Sequence, residues 1–344
     1  MATIKEIAKS TGVSIGTVDR ALHNRERVSE ETRLKILDAA EKLGYTTNIF
    51  ARNLKLSKVY NFCVFMPHPS NDSGYWQIPL AGIENAAKEL SHYRINVEYF
   101  FYNKYKEKSI QANFNKALKK EWDGFVIVPA GNGAFNGALN AIPVNAPYVF
   151  FDSLVPESSY LSYIGQDAYK SGMASAKLMH LLTGENPGIA AVKYTPEDYH
   201  IKQRTKGFCD YFKAADNSNV AILEIPPDYK LNTGKYLDKL IVGRKNGIKG
   251  IFVSSASTYL VAKHLKKRGL EGKIKLIGYD LIKENIAYLK EGVIDFIISQ
   301  MSERQGYEAV RALVASVILK QKVNRTKFMQ IDIITRENVD YYKS

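Results

Sequence analysis

From residue 60 onward the chain alternates short apolar runs with longer stretches whose apolar residues recur every three or four positions. The runs at 61–66, 95–101, 125–128, 148–151, 189–193, 220–225, 250–253, 274–278 and 296–299 are rich in β-branched and aromatic residues and predict strands. Stretches 83–90, 110–119, 171–182, 258–267 and 303–319 carry the helical period. Alternation of this kind predicts parallel sheets covered by helices on both faces. That many units exceed one comfortable sheet, so two doubly wound lobes flanking a cleft are expected. Before residue 60 the texture differs. Val18 and Leu22 share a helical face, as do Leu34, Leu37 and Ala40, and no strand pattern interrupts them.

The opening residues supply start and stop signals for those helices. Thr3 and Glu6 form a T-x-x-E capping box, and Gly12 can take the positive φ that ends a helix. Ala8 is small enough for two helices to cross closely. Ser14 can cap a second helix running to about Asn24, whose Val18 and Leu22 turn back on the first. Ser29, followed by Glu30 and Glu31, starts a third helix that stops at Gly44. The pattern reads as a helix-turn-helix, although an ordinary αα-hairpin has the same spacing. Residues 1–46 are assigned to this small all-α head. Residues 47–59 read as a linker with helical potential, because Phe50, Ala51 and Leu54 can share a face. So short a segment is marginal as a helix in water until it meets a surface.

Composition narrows the classes. The 344 residues carry a net charge of +13, which suits an anionic partner. Residues 1–58 hold eleven Lys/Arg and seven Asp/Glu, so most of the surplus lies in the body. The stretch 48–58 is more telling, with Arg52, Lys55 and Lys58 and no acid. No stretch approaches the roughly 18 apolar residues of a membrane span, and no secretory h-region opens the chain. A soluble cytoplasmic protein is expected. Two distant cysteines, Cys63 and Cys209, imply neither a disulfide framework nor a metal site.

Ligands of doubly wound sheets sit beyond the carboxyl ends of the strands. Asp152, Ser254, Ser255, Asp280 and Gln300 follow predicted strands, and Tyr75 and Trp76 lie in the loop after the first. Arg204 stands at a candidate helix start, four residues after His200. Carboxylates, an amide, an arginine and aromatic rings together suit a polyhydroxylated small molecule. Taken singly, Asp152 and Asp280 could cap loops, Arg204 could pair at the surface, and Trp76 could belong to the core. Gly131, Gly133 and Gly137 follow a strand, but the third glycine falls one place late for a dinucleotide fingerprint. The chain has no Walker lysine motif, H-E-x-x-H or G-x-S-x-G, and its six histidines are scattered. No catalytic residue, metal or cofactor is expected.

Residues 3–8, 12–14, 17–18, 20, 28–33, 43–45 and 48–54 together resemble the headpiece of the LacI/GalR repressor family, densely over 2–56 and more loosely to the C-terminus. The resemblance implies a periplasmic-binding-protein-like type I body. Phe151-Asp152, Arg204-x-x-Gly207-Phe208, Gly278-Tyr279-Asp280 and Ser299-Gln300 are similar to motifs lining the inter-lobe cleft, and Tyr75 and Trp76 to ring-stacking positions. It implies that residues 47–59 become a hinge helix on DNA, with Leu54 wedging into the minor groove beside Ala51, Arg52 and Lys55. Base reading falls to Ile15, Gly16 and Arg20, with Thr3, Ser14, Thr17 and Asn24 as further contacts. It further implies a homodimer on a near-palindromic operator, repression, and a sugar-like effector bound between an N-lobe (about 60–163 plus 293–322) and a C-lobe (about 164–292 plus 323–344). Four departures stand out. Thr47 occupies a usual proline position, Gly16 and Asp19 replace frequent serines, and Ser255-Ala256 replaces a frequent Asn-Asp pair. Asp19 either accepts from a cytosine amino group or pairs with Arg20. A transport solute-binding protein, or a sugar-modifying enzyme fused to a DNA-binding head, is the alternative.

Overall fold

The computed structural model describes residues 3–22, 26–44, 58–131, 133, 135, 137–184, 188–214, 220–226, 229–242 and 247–342. The chain divides into two compact units, residues 1–58 and 59–344.

The first unit contains α1 (Ile4–Thr11), α2 (Ile15–Leu22) and α3 (Glu30–Lys42). The Thr3–Glu6 capping box forms reciprocally, with the Thr3 amide donating to Glu6 Oε2 at 2.6 Å and the Glu6 amide to Thr3 Oγ1 at 3.3 Å. Gly12 ends α1 at φ 72°, a conformation that costs a residue with a Cβ. Ser29 caps α3 through the Thr32 amide. Ile7, Ala8, Val18, Ala21, Ile36, Ala39 and Ala40 form the core. Leu34 and Leu37, expected on the buried face of α3, instead stand 60% and 44% exposed. Ala40 belongs to both possible stripes, and the one carrying Ile36 and two adjacent alanines brings the helices closer together.

The second unit holds two six-stranded sheets. In the first, the order is β11 (Thr326–Met329), β5 (Ser162–Gln166), β4 (Tyr148–Phe151), β3 (Gly124–Ile127), β1 (Tyr60–Pro67), β2 (Ile95–Tyr102). In the second it is β12 (Asp332–Ile334), β10 (Phe296–Ser299), β9 (Lys275–Tyr279), β8 (Gly250–Val253), β6 (Ile189–Tyr194), β7 (Val220–Ile225). All pairings are parallel except β10 with β12. The predicted strands are all present to within two residues, and β5, β11 and β12 are additional. They were invisible because β5 contains Gly165 and the other two are short and largely polar or exposed.

The expected lobe boundaries need correction. Residues 296–299 pair with β9 in the second sheet, so they do not belong to the N-lobe segment 293–322. Residues 326–329 pair with β5 in the first sheet, against their assignment to the C-lobe. The chain therefore crosses between lobes after β5, after β10 and after β11. Apolar pattern identifies a strand but says nothing about which of two similar sheets accepts it.

Each lobe places two helices in unusually close contact. Helices Gln77–Glu89 and Ser302–Leu313 meet at Gly82 and Gly306, where an added Cβ would lie 1.8 Å from the Glu303 carbonyl oxygen and 2.1 Å from that of Pro79. Helices Ala168–Thr183 and Tyr199–Ala214 meet at Gly172 and Gly207, with corresponding distances of 2.1 Å to Arg204 O and 2.0 Å to Tyr169 O. The stretch predicted helical over 303–319 is α-helical to Leu313 and continues as a π-helical turn over Val314–Ile318.

Candidate effector cleft and nucleic-acid interface

In the head, Ser14, Ile15, Gly16 and Arg20 lie exposed along α2 and its N-cap, Thr17 is half-buried, and Thr3 is exposed ahead of α1. Ile15 is 51% exposed, an apolar side chain offered to solvent beside a buried Val18. The Ser14 hydroxyl is not idle: it accepts from the Thr17 amide at 3.1 Å and lies 2.9 Å from the Thr17 hydroxyl. Asn24, Ala51, Arg52, Leu54 and Lys55 lie outside the described residues.

In the body, Tyr75, Trp76, Asp152, Arg204, Ser255, Asp280 and Gln300 all line one cavity between the lobes. Backbone geometry explains how the carboxylates reach it. Asp152 directly follows β4 at φ 66° and Asp280 directly follows β9 at φ 71°. Each main-chain amide still donates to the neighbouring strand, to Ile164 O and Ile298 O respectively, both at 3.1 Å. The left-handed step turns each side chain from the sheet's end toward the cleft, a strained conformation of the kind that concentrates at binding sites.

Gln300 joins the lobes. Its Nε2 donates to Tyr75 Oη and Asp280 Oδ1, both at 2.9 Å, and its Oε1 accepts from Arg204 Nη2 at 2.7 Å. Tyr75 passes the connection on, donating to Asp152 Oδ1 at 2.6 Å. So Tyr75, expected as a stacking ring, also uses its hydroxyl. Arg204 donates through Nη1 to Ser254 O at 3.1 Å and lies over the Tyr279 ring at 3.8 Å. Its helix starts at Tyr199, a turn earlier than expected, so His200 and Arg204 share one face as an i, i+4 pair. Gln305 supports the N-lobe side, accepting from the Asp152 amide at 2.9 Å and donating to Gln300 O at 2.8 Å. Buried Asn285 supports the other, donating to the carbonyls of Ala256, Tyr279 and Asp280.

A second cluster closes the cavity, and the sequence reading missed it. Lys104 pairs with Asp72 at 2.9 Å and with Asp198 at 3.2 Å. Asp198 also accepts from the Gly131 amide at 2.8 Å, and Asp72 from Trp76 Nε1 at 2.7 Å and from the Tyr105 hydroxyl. Lys104 and Gly131 belong to the N-lobe and Asp198 to the C-lobe, so these contacts span the cleft. Position after β2 and before the helix at Tyr199 was the only available signal for Lys104 and Asp198.

Burial sets the electrostatics. Desolvation pushes the Asp152 carboxyl up to about 7, against the opposing pull of Tyr75 and Arg204. It pushes Asp280 to about 6, again opposed by Arg204 and by Gln300. His200 is driven well below its ordinary value by burial, then by Arg204 and Lys104, and is neutral. Burial alone would lower the Lys104 ammonium, but Asp198 and Asp72 hold it well above its usual range. Asp152 Oδ2, His200 Nδ1 and Arg204 Nε are buried without a hydrogen-bond partner among the described residues.

Two doubly wound lobes with polar and aromatic groups converging between them define a ligand-binding domain of the periplasmic type, and residues 63–321 match the periplasmic binding protein domain family. Residues 3–48 match the lacI family of bacterial regulatory proteins. The chain belongs to the lacI family, as a DNA-binding transcriptional regulator with a helix-turn-helix head and a sugar-binding-type body. It is 25% identical to the HTH-type transcriptional repressor PurR of Aliivibrio fischeri, over 98% of both chains. It is 32% identical to the uncharacterized HTH-type transcriptional regulator YkvZ of Bacillus subtilis, over 37% of this chain and 44% of that protein. Among solved structures, a putative LacI transcriptional regulator from Bacteroides fragilis is 26% identical with a TM-score of 0.77, covering 83% of this chain and all of that one. Among the described residues no group of side chains is arranged to hold a metal, and no helix is long and apolar enough to cross a membrane.

Proposed function

We propose that this regulator is a cytoplasmic homodimeric repressor whose DNA affinity is set by a carbohydrate-like effector bound between the lobes, and that it is a sensor and not an enzyme. The continuous chain Asp152–Tyr75–Gln300–Asp280, with Arg204 on Gln300, carries this reading. Its members come from both lobes and from the crossover between them, so a ligand engaging it acts on lobe closure itself. Carboxylates accept from vicinal hydroxyls, Gln300 accepts and donates, and Trp76 offers a ring for the C–H face of a sugar.

In this reading Ile15, Gly16 and Arg20 meet base edges, Thr3, Ser14, Thr17 and Asn24 contact backbone or base, and residues 47–59 order on the duplex. There Leu54 enters the minor groove, flanked by Ala51, Arg52 and Lys55. Two heads on a twofold axis match a near-palindromic operator. The effector shifts DNA affinity only by its differential affinity for the two lobe states, about 1–3 kcal/mol of coupling.

A thermal-shift screen of sugars and polyols tests the proposal, because a ligand of the folded state raises the Tm by mass action. Arg204→Ala is expected to weaken effector binding about 100-fold, since it strips Gln300 and Ser254 O of a buried charged donor. Operator binding by the same variant should be unchanged. A retained thermal shift in Arg204→Ala would remove the cleft assignment, and a single asymmetric half-site in footprinting would remove the dimer.

A further inference from the structure

We propose that the effector carries a primary ammonium group, as an amino sugar or aminocyclitol does, and that Asp152 and His200 receive it with Asp280 nearby. The inference rests on the carbohydrate reading above and narrows it.

Charge in the cavity is unevenly committed. Four carboxylates line it, Asp72, Asp152, Asp198 and Asp280, against two cations, Lys104 and Arg204. Lys104 is held between Asp72 and Asp198. Arg204 spends both terminal nitrogens on neutral oxygens, those of Ser254 and Gln300, and its plane on Tyr279. Asp152 and Asp280 are therefore left as buried acids that no described cation pairs directly, and burying such groups is costly unless a charge or donor meets them.

Donor counting points the same way. Asp152 Oδ2 and His200 Nδ1 lie 3.6 Å apart, both buried, both lining the cavity, and both without a hydrogen-bond partner among the described residues. His200 is neutral, so with its proton on Nε2 the Nδ1 atom accepts. With Asp152 ionised these are two neighbouring acceptors, and a single group meets both only if it has at least two donors. A hydroxyl has one; an ammonium has three and adds the missing charge. An acidic sugar fits poorly, because it would bring a fifth carboxylate to a cavity whose cations are already engaged. Arg204 Nε–H remains for a ring or hydroxyl oxygen.

Calorimetry on the full-length protein with matched sets decides it. The sets are glucose, 2-amino-2-deoxyglucose, 3-amino-3-deoxyglucose and glucuronate, with the corresponding galactose and mannose series, at pH 6.5. An amino member should bind about tenfold or more tighter than its neutral parent. Binding should also release protons, measured by repeating the titration in buffers of different ionisation enthalpy, because a cation favours the ionised carboxyls. Asp152→Asn should abolish most of that preference. Tightest binding by a neutral parent or a uronate, proton uptake in place of release, or a preference that survives in a folded Asp152→Asn protein would each overturn the ammonium assignment while leaving a carbohydrate effector standing. Absence of binding by every member would overturn both.

Discussion

The two lobes repeat one another in strand order, with only the edge strands β11 and β12 running in opposite senses, yet they contribute different chemistry to the cleft. In each sheet the strand third from the β11 or β12 edge is followed by an aspartate with a positive φ, and each aspartate amide bonds the adjacent strand at the same distance. In each lobe two helices are clamped through a reciprocal pair of glycines. The helix following β1 is preceded by Tyr75 and Trp76, whereas the helix following β6 carries His200 and Arg204. The shared backbone fixes where two carboxylates point. The divergent side chains then put Tyr75 and Trp76 at this place in one lobe and His200 and Arg204 in the other, so the two sides of the cleft present different groups to an asymmetric ligand.

If the glycine clamps are the common frame, breaking either should be the most damaging change. Gly207→Val and Gly82→Val each force side-chain atoms into a facing carbonyl that already lies within about 2 Å of where the Cβ must go. Each is expected to cost about 3 kcal/mol or more by overpacking, read from urea denaturation. Comparable losses in both lobes would support the equivalence. A loss confined to one would mean that the two clamps differ in their capacity to slide.

The supports of the two aspartates are not equivalent, and this difference can be sharpened. Asn285 lies within the C-lobe and holds three carbonyls there, besides accepting from the Tyr259 amide at 2.8 Å. Gln305 instead reaches from the crossover helix and touches Asp152 and Gln300. Asn285→Ala should destabilise the protein by about 2 kcal/mol, because it strands buried carbonyls. Gln305→Ala should cost less stability and more effector affinity, since its partners belong to the ligand network. Equal effects on both readouts would show that the supports are interchangeable.

Much of this repeat was legible beforehand, and the reason is local. Strand ends are marked by apolar runs, so the sequence alone puts Asp152, Asp280 and Gln300 at the end of strands and hence beside a cleft. The Thr3–Glu6 box and Gly12 were equally readable, because capping requires only neighbours in sequence. The Lys104–Asp72–Asp198 cluster was not, since Asp72 and Lys104 follow different strands and Asp198 reaches Lys104 only when the two lobes approach. The sheet assignments of β10 and β11 failed for a related reason: a strand's own residues record that it is buried, not which partner buries it. Leu34 and Leu37 show the same limit at a helix, where two apolar stripes compete and tertiary fit selects one.

Acidity offers a further contrast between the aspartates. Both carboxyls hold their protons above the usual carboxylate range, Asp152 to about 7 and Asp280 to about 6. A carboxyl raised in this way stabilises the fold fully below about pH 4, and that contribution is lost as pH rises through the folded-state value. Tyr75, Tyr163, His200, Arg204, Asp280 and Asp198 face Asp152, while Gln300, Arg204 and Asp72 face Asp280. His200 acts in the opposite sense, because a histidine lowered by burial loses stability for the protein as pH falls below its ordinary 6.5. The variant therefore has to be compared with the parent at each pH. Relative to Asp152→Asn, the parent should lose roughly 1 kcal/mol per pH unit between about pH 5 and 7. Asp280→Asn should show the same decline ending about one unit lower, following the two values above. Parallel stability curves for parent and variants would mean that both carboxyls are ionised throughout.

The smallest expected effect concerns how the lobes meet, where symmetry ends. Ser73 of the N-lobe and Tyr259 of the C-lobe place their hydroxyls 2.6 Å apart across the cleft. Unlike the Lys104 cluster, this contact involves no charge, so its removal leaves no buried ion behind. Tyr259→Phe keeps the ring and should weaken closure by about 0.5–1 kcal/mol, the net worth of one hydrogen bond. Because effector affinity scales with the population of the closed state, the dissociation constant should rise about two- to fivefold while the unfolding free energy hardly moves. Calorimetry and small-angle scattering on the same sample separate these quantities. An unchanged affinity would show that this contact adds nothing to closure and would leave closure to the other contacts that span the cleft, Lys104 and the Gly131 amide with Asp198 and Gln300 with Tyr75.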